Sequence, residues 1–190
     1  VYIDRAVDLA AHEGYPGHHL FNLLIEQRLV RELGWIEFTV YPLFSPESLI
    51  AEGTANFGIE VAFPGETRVR FDRDVLMPMA GLPVAEADRY DQVMRLAARL
   101  AYAGNEAARQ YLDGTMDRAA AAAWLTRYAL MSPARAEHRT RFIDAYRSYV
   151  INYNLGQDLV RAYVEAQGGT ADDPSRRWQV FLDLLQSPRL

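Results

Sequence analysis

Apolar side chains recur at three- and four-residue intervals along nearly the whole chain, the period of a helix with one buried face. That pattern runs through residues 2–12 and resumes over 18–32, beyond an interruption at Pro16-Gly17. Gly34 ends the stretch. Residues 35–43, from Trp35 to Leu43, are rich in β-formers, but no partner strand is in sight, so an extended connector is expected there. Ser45-Pro46 predicts a helix start, serine as N-cap and proline in the first turn, with the helix reaching about Val61 before Pro64-Gly65.

Residues 66–84 read as mixed, with room for a short helix around 72–80. A long amphipathic helix is expected over 86–112, closed by Asp113-Gly114, and Thr115 is expected to cap an Ala-rich helix over 116–130. Ser132-Pro133 repeats the serine-proline start and opens a helix to about Val150. Two more follow over 155–167 and 174–186, parted by Gly168-Gly169. The predicted class is all-α, a compact multi-helix array with little or no β structure.

With no repeat and no low-complexity linker, residues 1–190 are expected to form a single helical domain. The chain opens on Val1 with the apolar pattern already running and no cap before it. It therefore reads as a fragment or processed product of a longer chain, with an N-terminal portion of the same protein as a partner.

The chain is 50% hydrophobic and 24% charged, as in ordinary soluble domains. A net charge of −5 without a block of like charges points away from nucleic acid and anionic membranes. No apolar run approaches the ~20 residues of a membrane span. All twenty basic residues are arginine, which reads as coding bias rather than as guanidinium chemistry. Without cysteine there is no disulfide framework, no thiolate nucleophile and no cysteine-bound metal; this fits the cytosol without excluding export.

Chemistry concentrates in His12-Glu13-Gly14-Tyr15-Pro16-Gly17-His18-His19, which holds three of the four histidines. Imidazoles are good zinc ligands, and a carboxylate beside the first histidine suits a base for zinc-activated water. The usual zinc-hydrolase helix places its histidines four apart. Here His12 and His18 are six apart and His12 and His19 seven, roughly 9 and 10 Å along a straight helix and too far to share one ion. An unbroken helix is thus incompatible with a shared metal. Pro16, which cannot donate to a preceding carbonyl, is expected to bend or bulge the helix, and Gly17 to tolerate the dihedrals that result. A two-residue excursion brings His18, in preference to His19, to the second ligand position.

Glu52, among small and apolar neighbours on the 45–61 helix, is the expected third ligand, and Glu60 two turns on is a weaker substitute. Asn56, one turn beyond Glu52, shares its face and is placed to orient a ligating histidine, with His19 as a further supporting residue. Glu13 is expected to serve as general base. His138, among Arg135, Glu137, Arg139 and Arg141, reads as a solvated face residue.

His-Glu-x-x-Pro-Gly-His-His, followed by Glu52-Gly53, resembles the bacterial family catalogued as domain of unknown function 885, regarded as zinc metallopeptidases of the gluzincin type. The resemblance spans most of the chain in order and corresponds to the C-terminal third of longer members. It implies an α-helical zinc hydrolase with His12, His18 and Glu52 as ligands, Glu13 as base, and a peptide or small amide as substrate. Asn152-Tyr153-Asn154-Leu155-Gly156 is similar to the family's Ser-Tyr-Lys-Ile-Gly segment, which implies Tyr153 as a donor to the oxyanion of a tetrahedral intermediate. Thr54 stands where the family has tryptophan, and the family's Asp-x-Gly-x-His segment has no counterpart around 99–106.

Overall fold

The computed structural model describes residues 3–187. Val1 and Tyr2, at the start of the first expected helix, lie outside the described residues. Among the described residues there are helices, turns and loops and no β-strand, as an all-α pattern requires. No helix among them is long and apolar enough to cross a membrane. Among the described residues the backbone forms two compact units, one of residues 3–84 with 152–187 and the other of 85–151.

In the first unit, α1 (Ile3–Glu13) and α2 (His18–Ile25) are separate helices joined by Gly14–Gly17. A single bent or bulged helix was expected here; the chain instead leaves helical conformation altogether. Gly17 has φ −84° and ψ −136°, outside the helical well. Its amide donates to the Ala11 carbonyl at 2.9 Å, so the turn is closed by backbone bonds. Past Ile25 the helix loosens into a π-helical stretch, Glu26–Glu32, and ends at Gly34 with φ +74°. Residues 36–39 form a 3₁₀ turn in place of the start of an extended connector, with Phe38 packed against the core and Trp35 stacked on it at 6.0 Å.

The middle of this unit is α3 (Pro46–Ala62). Ser45 is extended and Pro46 opens the helix, although the serine side chain does not make the capping bond. Small residues on several faces of α3 let α1, α2, α10 (Leu155–Ala166) and α11 (Pro174–Leu185) pack around it. Ala51, Gly53, Thr54, Ala55, Phe57 and Gly58 are all buried in consequence. Phe21, Leu29, Phe57, Val164, Phe181 and Leu185 form the centre of the core.

Residues 66–84 are more helical than the mixed pattern suggests. Gly65, at φ +49°, starts α4 (Glu66–Phe71), which runs through a π-helical turn, Asp72–Leu76, into α5 (Met77–Met79). Arg68 bonds Asp72 at 3.0 Å and also reaches Asp8, tying α4 to α1. Neither charge pattern nor apolar period signals that pairing across sixty residues.

The second unit holds α6 (Ala87–Ala98), α7 (Ala101–Leu112), α8 (Arg118–Tyr128) and α9 (Pro133–Tyr146). The single helix expected over 86–112 is broken at Arg99-Leu100, where Leu100 N bonds Ala97 O and Ala103 N bonds Leu100 O, each at 3.0 Å. No proline or glycine marks that break, so only packing selects it. The cap of α8 is Asp117, accepting from Ala120 N at 2.8 Å; Thr115 instead bonds the Gln110 carbonyl at the end of α7. Ser132 caps α9 as expected, accepting from Arg135 N. That helix ends at Tyr146, short of Val150, because Arg147 takes φ +55° and the chain continues as a 3₁₀ turn.

Candidate metal centre

The turn between α1 and α2 folds tightly beneath His12. A Cβ at Gly17 would lie 1.9 Å from the His12 carbonyl oxygen and 2.5 Å from that of Ala11, so glycine is required by space. Pro16 is buried against α3: a Cβ on Gly58 would meet its ring at 2.9 Å. Backbone bonds from Leu20 N to Gly14 O and from Phe21 N to Gly17 O start α2 directly behind the turn. The C-terminal end of α1 and the N-terminal end of α2 thus meet over one stretch of α3.

There His12, His18 and Glu52 come together, with one ligand atom from each all within 4.8 Å of one another. His12 Nε2 lies 3.2 Å and His18 Nε2 3.7 Å from Glu52 Oε2. The two imidazoles meet edge to face, 4.6 Å between centroids at 88°. A tetrahedral ion with bonds near 2.1 Å holds its ligand atoms roughly 3.4 Å apart. The two measured gaps straddle that spacing. His12, His18 and Glu52 can therefore hold a metal ion.

Hydrogen bonding assigns the tautomer of His12. Asn56 Nδ2 donates to the Tyr153 carbonyl at 2.7 Å, which leaves Asn56 Oδ1 as an acceptor facing His12 Nδ1 at 2.9 Å. His12 Nδ1 must then carry the hydrogen, and the lone pair of neutral Nε2 points to the Glu52 carboxylate. A lone pair facing a carboxylate oxygen at 3.2 Å is repulsive unless a proton or a cation lies between them. This is the arrangement of a metal-ligating imidazole oriented from its other nitrogen.

Burial disfavours the charged form of His12, but the adjacent Glu52 carboxylate, the Asn56 hydrogen bond and the Glu13 charge outweigh it. Together they hold its pKa above the ordinary 6.5. Glu52 is buried on α3 beside Ala51, Gly53 and Ala55. Glu13, the last residue of α1, is exposed next to the group.

Other predicted site residues take different places. His19 is exposed with its ring against Tyr15, 5.1 Å between centroids, and is not a member of the metal-binding group. Tyr153 reaches the centre through its backbone carbonyl on Asn56. Glu60 is committed elsewhere: Gln157 donates to it at 2.6 Å, Arg177 lies 3.4 Å away and Arg161 also binds it. His138 lies on the exposed face of α9, in the second unit.

Gly53 and Gly156 support the centre in a way that spacing alone does not reveal. A Cβ on Gly53 would stand 2.5 Å from the Gly156 carbonyl, and one on Gly156 would stand 2.5 Å from Leu49 O. The crossing of α3 and α10 at this point delivers Tyr153 to Asn56. The available signal was a glycine inside each of two helical patterns, where it weakens the helix and so points to a packing reason.

The chain matches no protein-family model, no curated protein and no solved structure. Fold and site define a coarse class, an all-helical protein with a His-His-Glu group able to hold a metal ion across three helices.

Proposed function

We propose that the protein is a zinc-dependent hydrolase, specifically a metallopeptidase acting on a peptide or small amide. The observation that carries this reading is the convergence of His12 Nε2 and His18 Nε2 on Glu52 Oε2, at 3.2 and 3.7 Å, with Asn56 holding His12 from its other nitrogen. Two nitrogens and one carboxylate oxygen form a donor set suited to zinc. The resemblance of the His-Glu-x-x-Pro-Gly-His-His motif supports the same chemistry.

His12, His18 and Glu52 are the ligands, and Asn56 holds His12 in the ligating tautomer. When bound, zinc polarises the scissile carbonyl and lowers the pKa of water toward ~7. Glu13 takes a proton from the attacking water as its oxygen bonds to the carbonyl carbon. It then gives that proton to the amine as the carbon–nitrogen bond breaks. Tyr153 donates a hydrogen bond to the oxyanion of the tetrahedral intermediate.

A structural metal site would be closed by four protein ligands, whereas a catalytic one keeps a position for water. Among the described residues the group has three members, and His19, the nearest fourth in sequence, faces Tyr15. That supports catalysis over a metal staple. The same centre would also serve another amide or an ester, since activated water does not specify the acyl group.

The test pairs elemental analysis with a mass-spectrometric peptide-library screen of the zinc-loaded protein. Wild type is expected to retain zinc and cleave. Glu13→Gln is expected to retain zinc and lose about 10²-fold or more in rate. Failure of wild type to bind zinc, or cleavage by Glu13→Gln at the wild-type rate, overturns the proposal.

A further inference from the structure

The second unit contains an open groove of about 530 Å³, bounded by α6, α7, α9 and the turn joining α8 to α9. Leu100, Ala101, Gly104, Ala129 and Met131 make its apolar lining. The volume falls within the range of small-molecule sites. None of the residues bounding it serves the metal centre.

Gly104 is the informative residue. It sits inside α7, buried, and φ is not positive there, so the backbone does not require glycine. Nor does packing: a Cβ built on it meets nothing within 4 Å. Gly53 and Gly156 have backbone pressed against them; Gly104 has open space. A glycine in a helix interior weakens the helix, and here its effect is to deepen the groove. Across from it, the α8–α9 turn holds Leu130 at φ +54°, a left-handed conformation uncommon for a branched apolar residue. Leu130 points out, 72% exposed, while its neighbours Ala129 and Met131 line the groove.

The polar rim comes from one face of α9, with Arg135, His138 and Arg139 at i, i+3 and i+4. Among the described residues no carboxylate lines the groove. The acids of α9 are engaged elsewhere, Glu137 with Arg141 at 2.7 Å and Asp144 with Tyr111 at 2.8 Å and Arg118. In a chain of net charge −5, an apolar trough under a cationic rim is complementary to one kind of ligand.

We propose that this groove is a ligand site for an anionic amphiphile, with a carboxylate held at Arg135 on the rim and an apolar body lying over Gly104. Guanidinium groups suit a carboxylate because they offer paired donors.

The test is calorimetric titration of the full chain with decanoate, in the presence of a chelator so that no metal can capture the carboxylate. Decanol and decyltrimethylammonium are the neutral and cationic comparisons. Decanoate is expected to bind one per chain, about tenfold or more tighter than either comparison. Gly104→Leu fills the groove floor and is expected to weaken decanoate about tenfold or more, with helix content retained. Gly104→Ala is expected to leave the melting temperature unchanged or raise it. Arg135→Gln, at an exposed position, is expected to weaken decanoate while leaving decanol unchanged. No saturable decanoate binding, equal affinity for decanol, or wild-type affinity in Gly104→Leu each overturns the proposal. So does failure of Gly104→Leu to fold, because the space at Gly104 would then not be open.

Discussion

Gly53 and Gly156 meet backbone to backbone where α3 crosses α10, leaving no room for a Cβ on either. Glu52 precedes one of these glycines and Tyr153 lies three residues before the other. The crossing therefore sets the distance between the helix that carries Glu52 and the segment that bonds Asn56.

Gly53→Ala and Gly156→Ala are each expected to destabilise the protein by at least about 2 kcal/mol, since the opposing atoms are backbone and cannot rotate aside. Urea denaturation measures this. Their effects should not add, because one alanine already forces the helices apart. Full additivity would show that the two glycines do not share one contact.

Asn56 links His12 on one side to the Tyr153 carbonyl on the other. Asn56→Ala frees the His12 ring to rotate or change tautomer. Zinc affinity is expected to fall about 10- to 100-fold with helix content intact. A competition titration against a chromophoric chelator reads the affinity, and an unchanged constant would remove Asn56 from the centre.

In metal-free protein, burial works against the His12 cation but Glu52, Asn56 and Glu13 prevail, so its folded-state pKa lies above 6.5. The folded protein then holds more protons than the unfolded chain between the two values. The stability due to His12 is fully present below 6.5 and is lost as pH rises through the folded value. The stability difference between wild type and His12→Asn is accordingly expected to shrink from about pH 6 to about pH 8 without metal. With zinc the trend reverses, because the ligating nitrogen must be deprotonated. Thermal melts of both proteins at each pH, with and without chelator, decide the sign.

Glu60 accepts from Gln157 and Arg161 and lies 3.4 Å from Arg177, whose side chain is 8% exposed and sits over the Phe57 ring. Glu60→Gln removes the charge facing this buried guanidinium and is expected to cost about 2 kcal/mol. Zinc affinity should stay at the wild-type value, since Glu60 is outside the His12–His18–Glu52 group. Denaturation and metal titration on the same sample separate the two effects, and a loss of affinity would mean that Glu60 supports the centre.

Residue types and spacing within a few turns were enough to predict helices beginning at Pro46 and Pro133, where a serine precedes a proline, and another beginning at Pro174. They also singled out His12, His18 and Glu52. Proline removes a helical donor and glycine permits a tight turn wherever they stand, so Pro16-Gly17 had to interrupt the helix between the two histidines. One helical turn separates Glu52 from Asn56, and their shared face follows from the helical period alone. These are local consequences of covalent structure, and the sequence by itself determined them.

Only the tertiary structure decided the rest. The break at Leu100 carries no local mark and follows from what packs against it, and helical structure starts at Glu66, ahead of the short helix expected around 72–80. Asp117 took the cap expected of Thr115, because the Thr115 hydroxyl bonds Gln110 O. Asn56 and Tyr153 stand 97 residues apart, as do Glu60 and Gln157. Such pairs form when helices cross, and the crossing of α3 and α10 depends on two distant glycines fitting against each other's backbone. The periodicity of each helix shows which face is buried but not which partner buries it, and that choice placed Tyr153 beside Asn56.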